Sequence, residues 1–162
     1  MVSLYNELIK WVSYNRNEKI CERYSLNDWH KAVHDIDSDE QWANFLEKSL
    51  IVKCYILKLC SNDTSIAFLY TMQEDFSGKV VSVHGGGWEN PLMYYRGYVL
   101  MLKYLLNKGL KVRTYCQLSN PKAIRFSRSV GFVPYRYSEE EVFMWINEKR
   151  LRNSKIYKRF YK

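Results

Sequence analysis

The sequence is short of the residues that break a chain. It has 3 prolines and 7 glycines among 162 residues. Linkers and low-complexity segments are built from such residues, and none is visible. With 47% hydrophobic residues the chain can bury a full core, which excludes disorder for most of its length. Cysteine is scarce and unpatterned. Cys21, Cys54, Cys60 and Cys116 form no C-x-x-C pair, so a zinc ribbon or disulfide framework is not indicated. Buried free thiols in a reducing cytoplasm are expected. No apolar run reaches the ~20 residues that cross a bilayer. The start, MVSLYNELIKW, lacks the basic end and long apolar stretch of a signal peptide. A cytoplasmic location without a membrane partner is the expectation.

Acid is also missing, from one place. No Asp or Glu lies beyond Glu148, whereas Lys149, Arg150, Arg152, Lys155, Lys158, Arg159 and Lys162 do. These seven carry most of the net charge of +8, since the other 18 basic and 17 acidic residues nearly cancel. A single domain over 1–148 with a basic C-terminal tail, 149–162, is the expected organisation. A domain made to bind nucleic acid more often spreads its cations over the folded face. Leu151, Ile156, Tyr157, Phe160 and Tyr161 sit among the tail's cations. A solvated tail gains nothing from them, so docking on the domain or across a homodimer is expected, with nucleic-acid contact second.

The most structured signal runs from Lys111 to Phe132. Lys111–Ser119 has strand chemistry in Val112, Thr114 and Tyr115. Asn120-Pro121 reads as a helix start, because Asn caps an orphan N–H and Pro suits the first turn. Ala123, Phe126 and Val130 share one face. Gly131 can end the helix in a left-handed turn. Upstream, Leu4–Val12 reads as an amphipathic helix, Ile20–Tyr24 as a first strand, and two helices follow, the second over Asp39–Leu50. Ile51–Cys60, Ile66–Gln73 and Lys79–His84 read as strands, the last ending in Gly85-Gly86-Gly87. A helix from Asn90-Pro91 to about Lys108 follows. Strands at Phe132–Ser138 and Glu141–Ile146 close the pattern. Helices, antiparallel strands and further α and β elements in this order mean an α+β domain.

Asn120, Ala123, Gly131 and Phe132 match, in identity and spacing, the pattern N-x-x-A-x-x-x-Y-x-x-x-G-F. The chain here resembles the GNAT superfamily of acyl-CoA N-acyltransferases, over roughly Ile20 to Ile146. The resemblance implies a mixed, mostly antiparallel sheet of six to seven strands flanked by helices. It would be splayed in the middle to hold acyl-CoA. It implies acetyl transfer from acetyl-CoA, as co-substrate and without a metal, to a primary amine on a small molecule or peptide. The family's phosphate motif, [Q/R]-x-x-G-x-[G/A], is not present in that form. A helix N-terminus attracts phosphate and glycine permits close approach, so Val83, Gly85, Gly86, Gly87 and Trp88 are the expected cofactor border, with Arg96 within reach. Asn120, Ala123 and Phe126 are expected along the pantetheine arm.

The family's tyrosine position is Ser127. A serine is shorter and far less acidic than a phenol, so Ser127 is a poor substitute: it can orient the thioester sulfur or simply cap space, and a nearby tyrosine such as Tyr135 or Tyr137 can take over the proton. His84 is the candidate base, since imidazole titrates near neutral pH. Glu74, Asp75 and Glu89 are acids placed near the cleft mouth. His30 and His34, with Asp35 and Asp37, have helical spacing but no third ligand, so a solvated face is expected. Lys122, Arg125 and Arg128 form a basic edge on the Asn120 helix. A non-catalytic interaction protein on the same fold is the alternative to an enzyme.

Overall fold

The structure, a computed structural model, describes residues 9–15, 18–23, 40, 51–62, 64–87 and 91–161. The expected helices around Ser25 and over most of Asp39–Leu50, and the pair His30 and His34, lie outside these residues.

Among the described residues eight strands form one sheet in the order β1-β2-β3-β4-β5-β6-β8-β7. They are β1 Ile9–Asn15, β2 Glu18–Arg23, β3 Ile51–Leu59, β4 Ser65–Gln73 and β5 Val80–Gly87. Then come helix α1, Pro91–Asn107, β6 Lys111–Gln117 and helix α2, Pro121–Ser129. Strands β7, Val133–Tyr137, and β8, Glu141–Ile146, precede two short helices. These are α3, Glu148–Asn153, and α4, Lys155–Phe160. The first five strands pair antiparallel, and β5–β6 is the parallel step.

Two expectations are corrected here. Ile9–Asn15 is a strand, not the end of a helix, and it pairs with β2 from Ile9↔Arg23 to Asn15↔Glu18. Its run of Ile, Trp, Val and Tyr suits a strand, and cross-strand pairing overrides the helical spacing of Leu8 and Trp11. The glycine run is also strand. Gly85, Gly86 and Gly87 pair in unbroken register with Leu69, Phe68 and Ala67.

The core lies on one face of the sheet. Leu57, Leu69, Val81, Val83 and Val112 alternate towards it, and Val99, Leu102 and Leu105 of α1 cover them. Gly97 lets α1 approach closely, because a Cβ there would lie 2.8 Å from that of Ala67. The C-terminal helices dock on the same core. Leu151 is 0% exposed, and Ile156, Tyr157 and Tyr161 pack against it. Arg96 of α1 forms an ion pair with the fully buried carboxylate of Glu18 on β2.

Candidate active site

Strands β5 and β6 meet and then part. Their parallel ladder holds at Val80↔Lys111, Val81↔Val112 and Ser82↔Arg113, and stops there. Beyond it β5 stays on β4 through Gly87, and β6 stays on β8 through Gln117. At the notch the buried hydroxyl of Thr114 donates to the Val83 carbonyl at 2.9 Å. A side chain thus takes the place of the next backbone rung. Lys79 accepts from Lys111 across this seam, whereas Val80 accepts from Glu74 on the other side. Backbone groups alternate along a strand. Those of Gly85 and Tyr115 therefore face the gap, beyond the last β5–β6 rung.

The gap opens into a cleft of about 860 Å³. Its helix-side wall is aromatic. Phe126 of α2 stacks on Tyr94 and Tyr95 of α1 at ring distances of 5.1 and 5.0 Å, and meets Tyr98 edge-on at 5.0 Å. Burial pushes the Tyr94 phenol well above its ordinary range, and Tyr95 adds to the shift. The start of α2 is fixed as its sequence dictates. The Asn120 side-chain oxygen accepts the Ala123 N–H at 3.2 Å, which leaves its amide NH₂ for a ligand. At the far end Gly131 has φ of +112°, the left-handed turn expected of it. Ser127 is buried, with its hydroxyl 3.6 Å from the Cys116 sulfur. Burial raises the Cys116 thiol, a shift the Ser127 contact opposes and Glu141 reinforces.

The other wall comes from the opposite sheet face. Val83 and Cys116 point to the helices, so alternation sends His84 and Tyr115 the other way. Their rings meet edge-to-face at 4.6 Å. The Tyr115 hydroxyl reaches the Met72 sulfur at 3.9 Å. Its phenol is also held above its ordinary value, by burial first and then by the charges of Glu141 and Glu74.

Val83, His84, Gly85, Asn120, Ala123, Phe126 and Ser127 therefore line one cleft. Other candidates do not line it. Gly86 and Gly87 continue the strand beside it, and Arg96 is held by Glu18. Trp88 and Glu89 lie outside the described residues. Tyr135 and Tyr137 are 46% and 60% exposed on β7 and do not line the cleft. The phenols that do line it are Tyr94, Tyr95, Tyr98 and Tyr115. Their signal was Tyr94 and Tyr98, four apart on a helix leaving the glycine run. Asp75 is an exposed turn residue whose carboxylate accepts from Ser77 at 2.8 and 2.9 Å, which holds it below its ordinary value. Glu74 does not line the cleft either. Lys122 does, whereas Arg125 and Arg128 turn away from it. Cys60 is exposed, contrary to the expectation of buried thiols, while Cys116 is buried. Among the described residues no helix is long and apolar enough to cross a membrane.

No family model and no curated protein matches this sequence. Solved structures do match. A GNAT-family acetyltransferase from Bacillus anthracis is 15% identical over 86% of this chain and 99% of its own, with a TM-score of 0.59. The N-acetyltransferase PseH of Campylobacter jejuni is 13% identical over 81% of this chain and 98% of its own, at 0.56. Spermidine N-acetyltransferase from Vibrio cholerae, solved in complex with CoA and spermine, is 12% identical over 83% and 98%, at 0.51. The chain has the fold of the GNAT acetyltransferases: an α+β domain whose mixed sheet is flanked by helices.

Proposed function

We propose that the protein is an acetyl-CoA-dependent N-acetyltransferase acting on a primary amine by direct transfer. The observation that carries this reading is the parted β5–β6 seam, with strand edges open at Gly85 and Tyr115. Those edges suit a pantetheine arm, whose amides can pair with a strand as another strand would. Bound acetyl-CoA would supply a thioester whose acyl carbon an amine can attack. The aromatic wall of Tyr94, Tyr95 and Phe126 would exclude water and fix the arm. Asn120 would donate its free NH₂ to an amide of the arm.

The two walls divide the work. The acyl donor would lie on the helix side, and the amine would approach from the side of His84 and Tyr115. Negative charge from Glu74 and Glu141 acts on Tyr115, which favours a cationic amine near it. His84 would take the amine's proton, leaving the lone pair free to attack. The Gly85 N–H faces the gap and can donate to an oxygen gaining charge. Burial keeps Tyr94 and Tyr115 protonated. A thiol, at about 8.5, is a stronger acid than such phenols. These phenols would therefore hydrogen-bond a departing thiolate rather than surrender a proton to it. Ser127, occupied with Cys116, would hold that wall in place.

The test is a thiol-release assay with acetyl-CoA and a panel of polyamines, small primary amines and peptide N-termini. At least one amine should be turned over. His84→Ala should then lower turnover ~10²-fold or more with CoA binding intact. Ser127→Ala should cost less than ~10²-fold, the lower edge of a general acid–base contribution. No thiol release with any amine, despite CoA binding, would count against an enzyme.

A further inference from the structure

A second concavity, about 830 Å³, lies on the far side of α2 and shares no lining residue with the cleft. Its chemistry is one-sided. Arg125 and Arg128 come from α2, Lys149 and Arg150 from α3, and Lys155 from the start of α4. All five are exposed, and none has an ion pair among the described residues. Among the described residues no carboxylate lines the groove. The one acid of this segment, Glu148, is held by Arg152 at 2.6 Å.

The cations sit on a rigid frame. A Cβ on Gly131 would fall 2.7 Å from the Arg150 carbonyl oxygen, so the end of α2 and the middle of α3 are in backbone contact. Asn147 caps α3 by accepting the Arg150 N–H at 2.9 Å, and Ser154 caps α4 by accepting from Tyr157 at 3.1 Å. Leu151 anchors α3 in the core, and Ile156 and Tyr157 of α4 pack against that core. The Arg150 guanidinium lies over the Trp145 ring at 4.8 Å. Five like charges held together repel one another, and a polyanion relieves that repulsion while releasing its own counterions.

We propose that this groove binds single-stranded nucleic acid through its phosphate backbone. A lone phosphate group is held by converging buried donors, whereas these cations are exposed and spread along the groove, as a chain of phosphates requires. A membrane surface fits less well. The large exposed apolar side chains among the described residues, such as Phe76 and Leu118, lie elsewhere, and the groove's half-buried Trp145 is covered by Arg150. Lys158 and Arg159, in the last turn of α4, are also exposed.

Fluorescence anisotropy with a labelled single-stranded RNA of about 15 nucleotides tests this, using the full chain. Neutralising five phosphates should give a slope of log affinity against log salt near −3.5, so affinity falls about 100-fold between ~50 and ~200 mM salt. The double variant Arg128→Gln/Lys155→Gln should lower affinity and flatten the slope by about 1.4. Lys79→Gln/Lys111→Gln removes the same charge elsewhere and should leave the slope unchanged. Arg125→Gln/Lys149→Gln repeats the test should the first pair disturb the fold. The proposal is overturned by absence of binding at the lower salt, or by equal losses in groove and control variants. It is equally overturned if the groove variants lose binding to phosphatidylserine vesicles or pyrophosphate but keep the RNA.

Discussion

The β5–β6 seam has two halves made by the same two strands, and they differ in what completes them. In the lower half Val80–Ser82 and Lys111–Arg113 satisfy each other through a parallel ladder. In the upper half each strand keeps its outer partner, and the inner edges face a cleft. Residue chemistry follows the division. The closed half is packed with β-branched side chains, Val81 and Val112 being 3% and 1% exposed. The open half carries His84, three glycines and Tyr115. Val83 and Cys116 stay buried past the split, so packing alone does not close the seam; beyond Ser82 and Arg113 the inner backbone edges no longer pair with each other. Thr114 marks the border by giving the Val83 carbonyl a side-chain partner.

Breaking the closed half should have the largest effect. Val112→Asp would bury an unpaired charge in the ladder, and the variant should lose cooperative unfolding by circular dichroism in urea. A folded Val112→Asp protein would mean the seam is not held by its core. Breaking the border should cost less. Thr114→Val leaves the Val83 carbonyl without its donor and should lower stability by about 1–3 kcal/mol, read from the urea midpoint. No loss would mean that water replaces the hydroxyl and the notch is already wet.

The smallest effect is one of pH. Tyr94, Tyr115 and Cys116, all on the cleft walls, are held protonated by burial. Folding therefore favours their neutral forms. Their contribution is fully present below the unfolded values, about 8.5 for the thiol and about 10 for the phenols. It is lost as pH rises through the folded values, because the folded state then binds more protons than the unfolded one. Melting temperature should fall above about pH 9, and less steeply in Tyr94→Phe. A flat profile to pH 11 would show that these groups are solvated.

Local chemistry explains what was legible in the sequence. The Asn120 cap, the Pro121 start and the Gly131 turn are decided by residues next to one another, and each appears as its chemistry requires. The alternation of β6 and the helical stripe of α1 are equally local. What escaped depends on distant partners. Ile9–Asn15 is a strand because β2 pairs with it. Arg96 has the right charge and helix position for a phosphate, yet a buried acid some eighty residues earlier claims it. Tyr135 and Tyr137 follow α2 closely in sequence, but β7 is an edge strand separated from β6 by β8. The phenols of α1 are brought to Phe126 only when α1 and α2 pack together.

Isothermal titration of the protein with CoA, beside thermal melting, tests the central claim that the open half of the seam holds acyl-CoA. CoA should give measurable heat, one site per chain, and a melting temperature that rises with its concentration, because a ligand of the folded state alone stabilises it. Gly85→Pro, which removes the N–H facing the gap, should weaken that binding. No heat and no shift in melting at millimolar CoA would contradict the account.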